Sequence, residues 1–321
     1  MLYVLENDYL KVYVSDMGAT LVKLIDKKSN TDCVLGFKSD DDYKNSATYV
    51  GASVGRNANR IGNAKFELNG QTYNLTVNDN MNQLHGGGLN GFSFKIWEKK
   101  AETKEEITFA IFSKDGEEGF PGNLNVEVTY KLDKNSLIWS YSGICDQDTI
   151  LNMTNHSYFN LGDKDIYNHE LKIHTDKYSP VDEYSLTKDE VVFVKNTPYD
   201  FIEFTKVKDN LDKLGGGIDN NYVWEQMGDK LMAELKYNNL KLNVYSDLPD
   251  MHFYTGEYLH GDNTKNDGSY KPFDGLCLEC QYYPNGINYS NYIKPILKKN
   301  EKMTHYIRYE IEDITRGIYG I

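Results

Sequence analysis

A chain of 321 residues with 40% apolar side chains is long enough to bury a large core, which excludes a disordered protein. A formal net charge of -13 leaves no surplus of Lys and Arg to neutralise phosphates, which excludes nucleic acid and anionic membrane surfaces as natural partners. No run of about 18 apolar residues occurs, so no membrane-spanning helix is expected.

From the N-terminus, Met1–Gly18 lacks a basic n-region, and Glu6 and Asp8 interrupt its apolar residues, so no secretory signal is expected. Asp40–Lys44 is suited to a turn or two of helix. In Gly55-Arg56-Asn57-Ala58-Asn59-Arg60-Ile61, two arginines and two asparagines offer donors for ring and hydroxyl oxygens; a polar surface loop is the plainer alternative. Between the alternating segments Phe66–Leu68 and Gln71–Leu75 stands Asn69-Gly70, both tolerant of positive φ, which predicts a hairpin. The glycines of Leu84-His85-Gly86-Gly87-Gly88 remove bulk beside His85, so that a ligand could approach the backbone closely.

Period-two alternation then recurs at Leu124, Val126, Val128, Tyr130 and Leu132, at Leu137, Trp139 and Tyr141, and at Leu240, Leu242 and Val244, each marking a strand with one buried face. As one strand, Asn152–Leu161 would put Thr154, His156, Tyr158 and Asn160 on a common polar face suited to a ligand. Thr205–Leu214 is a second short helix candidate, and Gly215-Gly216-Gly217-Ile218-Asp219 sets an acid after a flexible turn. In Gly275–Gly286, Glu279 lies among apolar residues, where a carboxylate is costly without a task or a partner. Cys277 and Cys280 form a C-x-x-C, but residues three apart on a strand diverge and no second such pair exists, so neither zinc nor a disulfide is expected. Cys33 and Cys145 bring the total to four, too few for a disulfide scaffold, and the cytoplasm is the expected compartment. Many antiparallel strands with no linker, repeat or low-complexity tract predict an all-β fold, a large antiparallel sandwich with few short helices, formed by residues 1–321 as one domain.

Gly51-Ala52-Ser53-Val54-Gly55 matches the G-x-S-x-G elbow of esterases and His85-Gly86-Gly87-Gly88 their oxyanion loop. The order is reversed here, and the elbow leads into a polar stretch rather than an apolar-faced helix. A stronger likeness comes from an ordered set over about residues 50–290: Asn59-Arg60-Ile61, Leu84-His85-Gly86-Gly87, Asn155-His156-Ser157-Tyr158-Phe159-Asn160-Leu161, Asp219-Asn220-Asn221, Phe253-Tyr254-Thr255-Gly256, and Leu278-Glu279 with Gln281 and Pro284. This set resembles the aldose 1-epimerase (galactose mutarotase) family. The resemblance implies a β-supersandwich, His156 as general acid, Glu279 as general base, and His85, Arg60 and Asp219 as sugar contacts, with Asn59 and His252 beside them. The chain departs from the family pattern at His252, where Gln is frequent, at Glu257 in place of Asn, at Cys280 in place of Thr or Pro, and at Asn285-Gly286 in place of Asp-Ala.

Anomer interconversion needs a base for the C1 hydroxyl and an acid for the ring oxygen, and neither a cofactor nor a metal. Glu279 is expected to be ionised near neutral pH and to favour a cationic His156. The expected partner is a small free aldose such as glucose or galactose; the pattern specifies no oligomeric state. Rival readings are an epimerase-like enzyme for a phosphorylated hexose, which would need more basic residues at the site, and a non-catalytic sugar-binding module, which would need no acid–base pair.

Overall fold

The computed structural model describes residues 1–315. Alternation dictates its strands: along Leu124–Asp133, Leu124, Val126, Val128, Tyr130 and Leu132 are buried while Asn125, Glu127 and Lys131 are exposed. This strand and Ser136–Cys145 are neighbours in a nine-stranded antiparallel sheet that continues through Lys302–Asp313, Leu240–Ser246 and Lys230–Tyr237. A six-stranded sheet orders Tyr158–Phe159, Leu276–Gln281, Asp250–Tyr254, Asp219–Val223, Lys177–Ser179 and Val192–Phe193. Trp139, Tyr141, Val244 and Ile307 from the large sheet pack with Met251, Phe253, Leu276 and Leu278 from the smaller one in one apolar cluster. Leu10, Val12, Val14, Leu21 and Leu24 of a four-stranded N-terminal sheet belong to the same cluster. The fold is thus the all-β, antiparallel sandwich expected.

Local expectations fare unevenly. Lys65–Leu68 and Gln71–Asn74 form the hairpin, with Asn69 at φ 53° and Gly70 at φ 78° as a two-residue turn requires. Asp40–Lys44 is helical, started by a capping box between Ser39 and Asp42. The second helix runs Val207–Leu214 and ends at Gly215, φ 75°; Thr205–Lys206 pair instead with Glu170–Leu171 as a strand.

Asn152–Leu161 is not one strand. Thr154–Asn155 pair with Ser53–Val54, Tyr158–Phe159 pair with Leu276–Cys277, and the chain changes sheets between them at His156 and Ser157. The His156 backbone is pinned at both ends: its N–H donates to Ala52 at 2.9 Å and its carbonyl accepts from Gly51 at 2.8 Å. Thr154 and Asn160 do not share a ligand face with His156; Asn160 accepts the amides of Gly162 and Asp163 and shapes the next turn. All four cysteines are free and buried. Among the described residues no helix is long and apolar enough to cross a membrane.

Candidate active site

The six-stranded sheet has two unlike faces, and period two separates them. On Leu276–Gln281, Leu278 and Cys280 enter the large core while Cys277 and Glu279 face away from it; on Asp250–Tyr254, Met251 and Phe253 enter the core while His252 and Tyr254 face away. Register sets His252 directly beside Glu279, and Asp219 beside Tyr254. Cys277 and Cys280 diverge, as strand geometry requires.

That second face floors a cavity of about 170 Å³ lined by Asn59, Arg60, His85, His156, Asp219, His252 and Glu279. All seven residues singled out from the sequence meet there. The lining also includes Tyr49, Tyr158, Tyr254, Tyr258 and His260. Tyr158 and Tyr254 lay within the motifs; Tyr49, Tyr258 and His260 carried no local signal.

Glu279 and His156 are the deepest ionisable pair, with Oε1 and Nε2 3.7 Å apart and side chains 2% and 5% exposed. Burial pushes the Glu279 carboxyl well above its usual range, the Asp219 charge adds to that, and Arg60 offsets it in part. Burial likewise brings His156 down to about 4, against a smaller opposing effect of its own carbonyl. Burial therefore works against the ionised Glu279 and cationic His156 that the residue types alone suggest. For both groups desolvation is the largest effect and favours the uncharged form. Glu279 Oε2 is buried with no protein partner, an acceptor left for something else to satisfy.

His85 differs. Its Nδ1 accepts the Asn59 amide at 3.2 Å, which assigns the proton of the neutral ring to Nε2. Burial, followed by repulsion from His156, Arg60 and His252, keeps it well below its usual value and so uncharged. Gly86 and Gly87 serve packing: a Cβ on Gly86 would meet the Gly55 carbonyl at 2.0 Å, and one on Gly87 the Glu118 carboxylate at 2.4 Å. Donor atoms of His85, His156 and Glu279 lie within 4.8 Å of one another, a spacing within reach of a divalent ion. The tautomer argues against that use, because the Asn59 amide occupies one lone pair of His85 and the other nitrogen holds the proton.

Asp219 accepts from His252 Nε2 at 2.6 Å and lies 3.9 Å from the Arg60 guanidinium, whose Nε donates to Asp79 at 2.7 Å. Burial alone would raise the Asp219 carboxyl; the His252 hydrogen bond and the charges of His252, Arg60 and His156 outweigh it and hold the carboxyl below its usual range. Asp219 is the first residue of a strand, not a loop residue. Arg56 is absent from the cavity: its guanidinium is buried and donates to Ser113, Lys114, Pro121 and Gly122. Arg60 is the one arginine among the described lining residues, which include no lysine. Ser53 of the esterase-like motif is fully buried, donating to Ala19 and accepting from the Trp139 indole, so it is no exposed nucleophile.

Comparison with known proteins agrees with this layout. Residues 1–310 match the family model described as aldose 1-epimerase. The chain is 36% identical to galactose mutarotase of Sus scrofa over 94% of this chain and 91% of that one. It is also 36% identical to aldose 1-epimerase of Haemophilus influenzae over 90% and 88%. The crystal structure of an aldose epimerase homologue from C. elegans superposes with a TM-score of 0.92 at 27% identity, covering 98% of this chain and 99% of that one. With its fold, its cavity and these relatives in accord, the chain belongs to the aldose 1-epimerase family.

Proposed function

We propose that this protein interconverts the α and β anomers of a free hexose by acid–base ring opening and reclosure, with Glu279 as base and His156 as acid. The observation that carries the reading is the 3.7 Å pair at the floor of a single-sugar cavity. The two oxygens that exchange protons are bonded to the same carbon, so their base and acid must converge on it, each within about 2.6–3.2 Å.

Bound sugar opposes the effect of burial: a C1 hydroxyl donating to Glu279 favours the carboxylate, and a ring oxygen accepting from His156 favours imidazolium. Glu279 then takes the C1 hydroxyl proton, the C1–O5 bond breaks as the carbonyl forms, and His156 delivers its proton to O5. Rotation about C1–C2 presents the other carbonyl face. Closure reverses the roles: His156 takes the proton back from the O5 hydroxyl, and Glu279 returns its proton to O1. His85, as a neutral donor, and Arg60, Asp219, Asn59 and His252 hold the remaining oxygens. The engagement of Arg56 with carbonyls away from the cavity and the lack of lysine in the described lining favour a free sugar over a phosphorylated one.

Residues 1–321 act as one domain in this reading. Four free cysteines fit a reducing cytoplasm, where the enzyme would serve hexose metabolism. Optical rotation of freshly dissolved α-D-glucose and α-D-galactose tests the activity: the protein speeds the approach to an unchanged final rotation. Sugar binding without acceleration would mark a binding module instead.

A further inference from the structure

The C-x-x-C motif has no metal or disulfide role, yet one of its thiols touches the proposed acid. While His156 Nε2 faces Glu279, Nδ1 lies 3.5 Å from the Cys277 sulfur. Cys277 is fully buried, two residues before Glu279 on the same face of the same strand. Burial, followed by the charges of Glu279 and Asp219, pushes its thiol well above the usual range, so the S–H proton stays in place at neutral pH.

A thiol is both a weak donor and a weak acceptor. Toward a neutral ring it donates to Nδ1, which places the ring proton on Nε2, at the cavity. Toward a cationic ring it accepts from Nδ1–H through a sulfur lone pair. A carboxylate or carbonyl at this position could only accept; it would fix Nδ1–H, stabilise imidazolium and weaken the acid. The residue's own carbonyl is a second acceptor within reach of the ring, and it is shared with the Gly51 amide at 2.8 Å, so the thiol competes with it for Nδ1.

We propose that Cys277 is a positioning residue for the acid of the reaction, holding His156 in its Nε2–H tautomer at rest and accompanying the ring through both charge states of the cycle. The proposal rests on His156 being that acid. Groups facing the ring from other elements are Glu279, His85, His252, Asp219, Tyr158 and Tyr49, and none of them changes in the variants below.

The test uses full-length protein carrying ¹⁵N-histidine. Long-range ¹H–¹⁵N spectra report the His156 tautomer, and polarimetry reports kcat, KM and their pH dependence. Wild type shows Nε2–H. Cys277→Ala and the space-filling Cys277→Val show mixed tautomers, a kcat lowered about tenfold, a KM within about twofold and a displaced acid limb. Cys277→Ser, which restores a donor–acceptor hydroxyl, recovers most of both signals. Retention of the Nε2–H tautomer with wild-type kcat in both the Ala and Val variants overturns the proposal. So does a loss of activity that leaves the tautomer unchanged and is not rescued by Ser, since that is the mark of packing alone. His156→Gln separates the two levels: near-normal turnover there defeats the acid assignment, and this proposal with it, whatever the tautomer spectra of the cysteine variants show.

Discussion

The two faces of the six-stranded sheet are built from alternate residues of the same strands, yet they obey opposite rules. Leu276, Leu278, Met251 and Phe253 on one face lie in the main apolar core, where burying hydrocarbon lowers the free energy of folding. Glu279 and His252 on the other are as deeply buried but keep atoms with no protein partner, Oε2 and Nδ1. Burial there opposes folding and displaces protons. The contrast teaches that depth alone does not define a core: one face uses exclusion of water for stability, and the other uses it to set the protonation state of a reactive pair.

Substitutions that cross this divide should separate activity from stability. His156→Gln is expected to lower kcat by about 10²–10⁴-fold without lowering the Tm, because an ionisable group buried at a cost is replaced by a neutral one; polarimetry and calorimetry on the same sample check both. On the opposite face, Leu278→Ala should cost about 2–5 kcal/mol of stability and leave the KM of the folded fraction near wild type, as read by denaturant unfolding and kinetics.

Arg56 and Arg60 sharpen the same comparison within one turn of chain. Arg56→Met leaves the carbonyls of Ser113, Pro121 and Gly122 unsatisfied and should cost about 1–3 kcal/mol with little change in KM. Arg60→Met should reverse that pattern, raising KM about tenfold at unchanged Tm. The smallest effect is that of pH. Burial holds His156 down at about 4 and Glu279 well above its usual range, so Glu279 already carries its proton when His156 gains one. As pH falls through about 4 the pair gains a second, the base is blocked, and kcat/KM should drop about tenfold per further pH unit. A limb near the ordinary histidine value would instead mean that burial does not control the pair.

Much of this architecture was legible because its signals are local. Alternation at Leu124–Leu132, the Asn69-Gly70 turn and the short helix at Asp40–Lys44 each depend on neighbours a few residues away. Glu279 stood out because a carboxylate between Leu278 and Cys280 conflicts with its surroundings. What escaped depends on distant segments. The fate of Arg56 is decided by carbonyls near residues 113–122, and the need for Gly86 by the Gly55 carbonyl. The break at His156 follows from a change of sheet partner, and the opposed pKa shifts of Glu279 and His156 from how deeply the surrounding segments bury the pair. Tyr49 reaches the cavity through its ring's packing on His85 at 4.7 Å, which no motif encodes.

The most direct test of the central claim is Glu279→Gln assayed for mutarotation of α-D-galactose and for sugar binding in the same preparation. The account predicts binding within about tenfold of wild type and a turnover reduced by at least about 10²-fold. Near-wild-type turnover, or a rate loss matched entirely by lost binding, would contradict it.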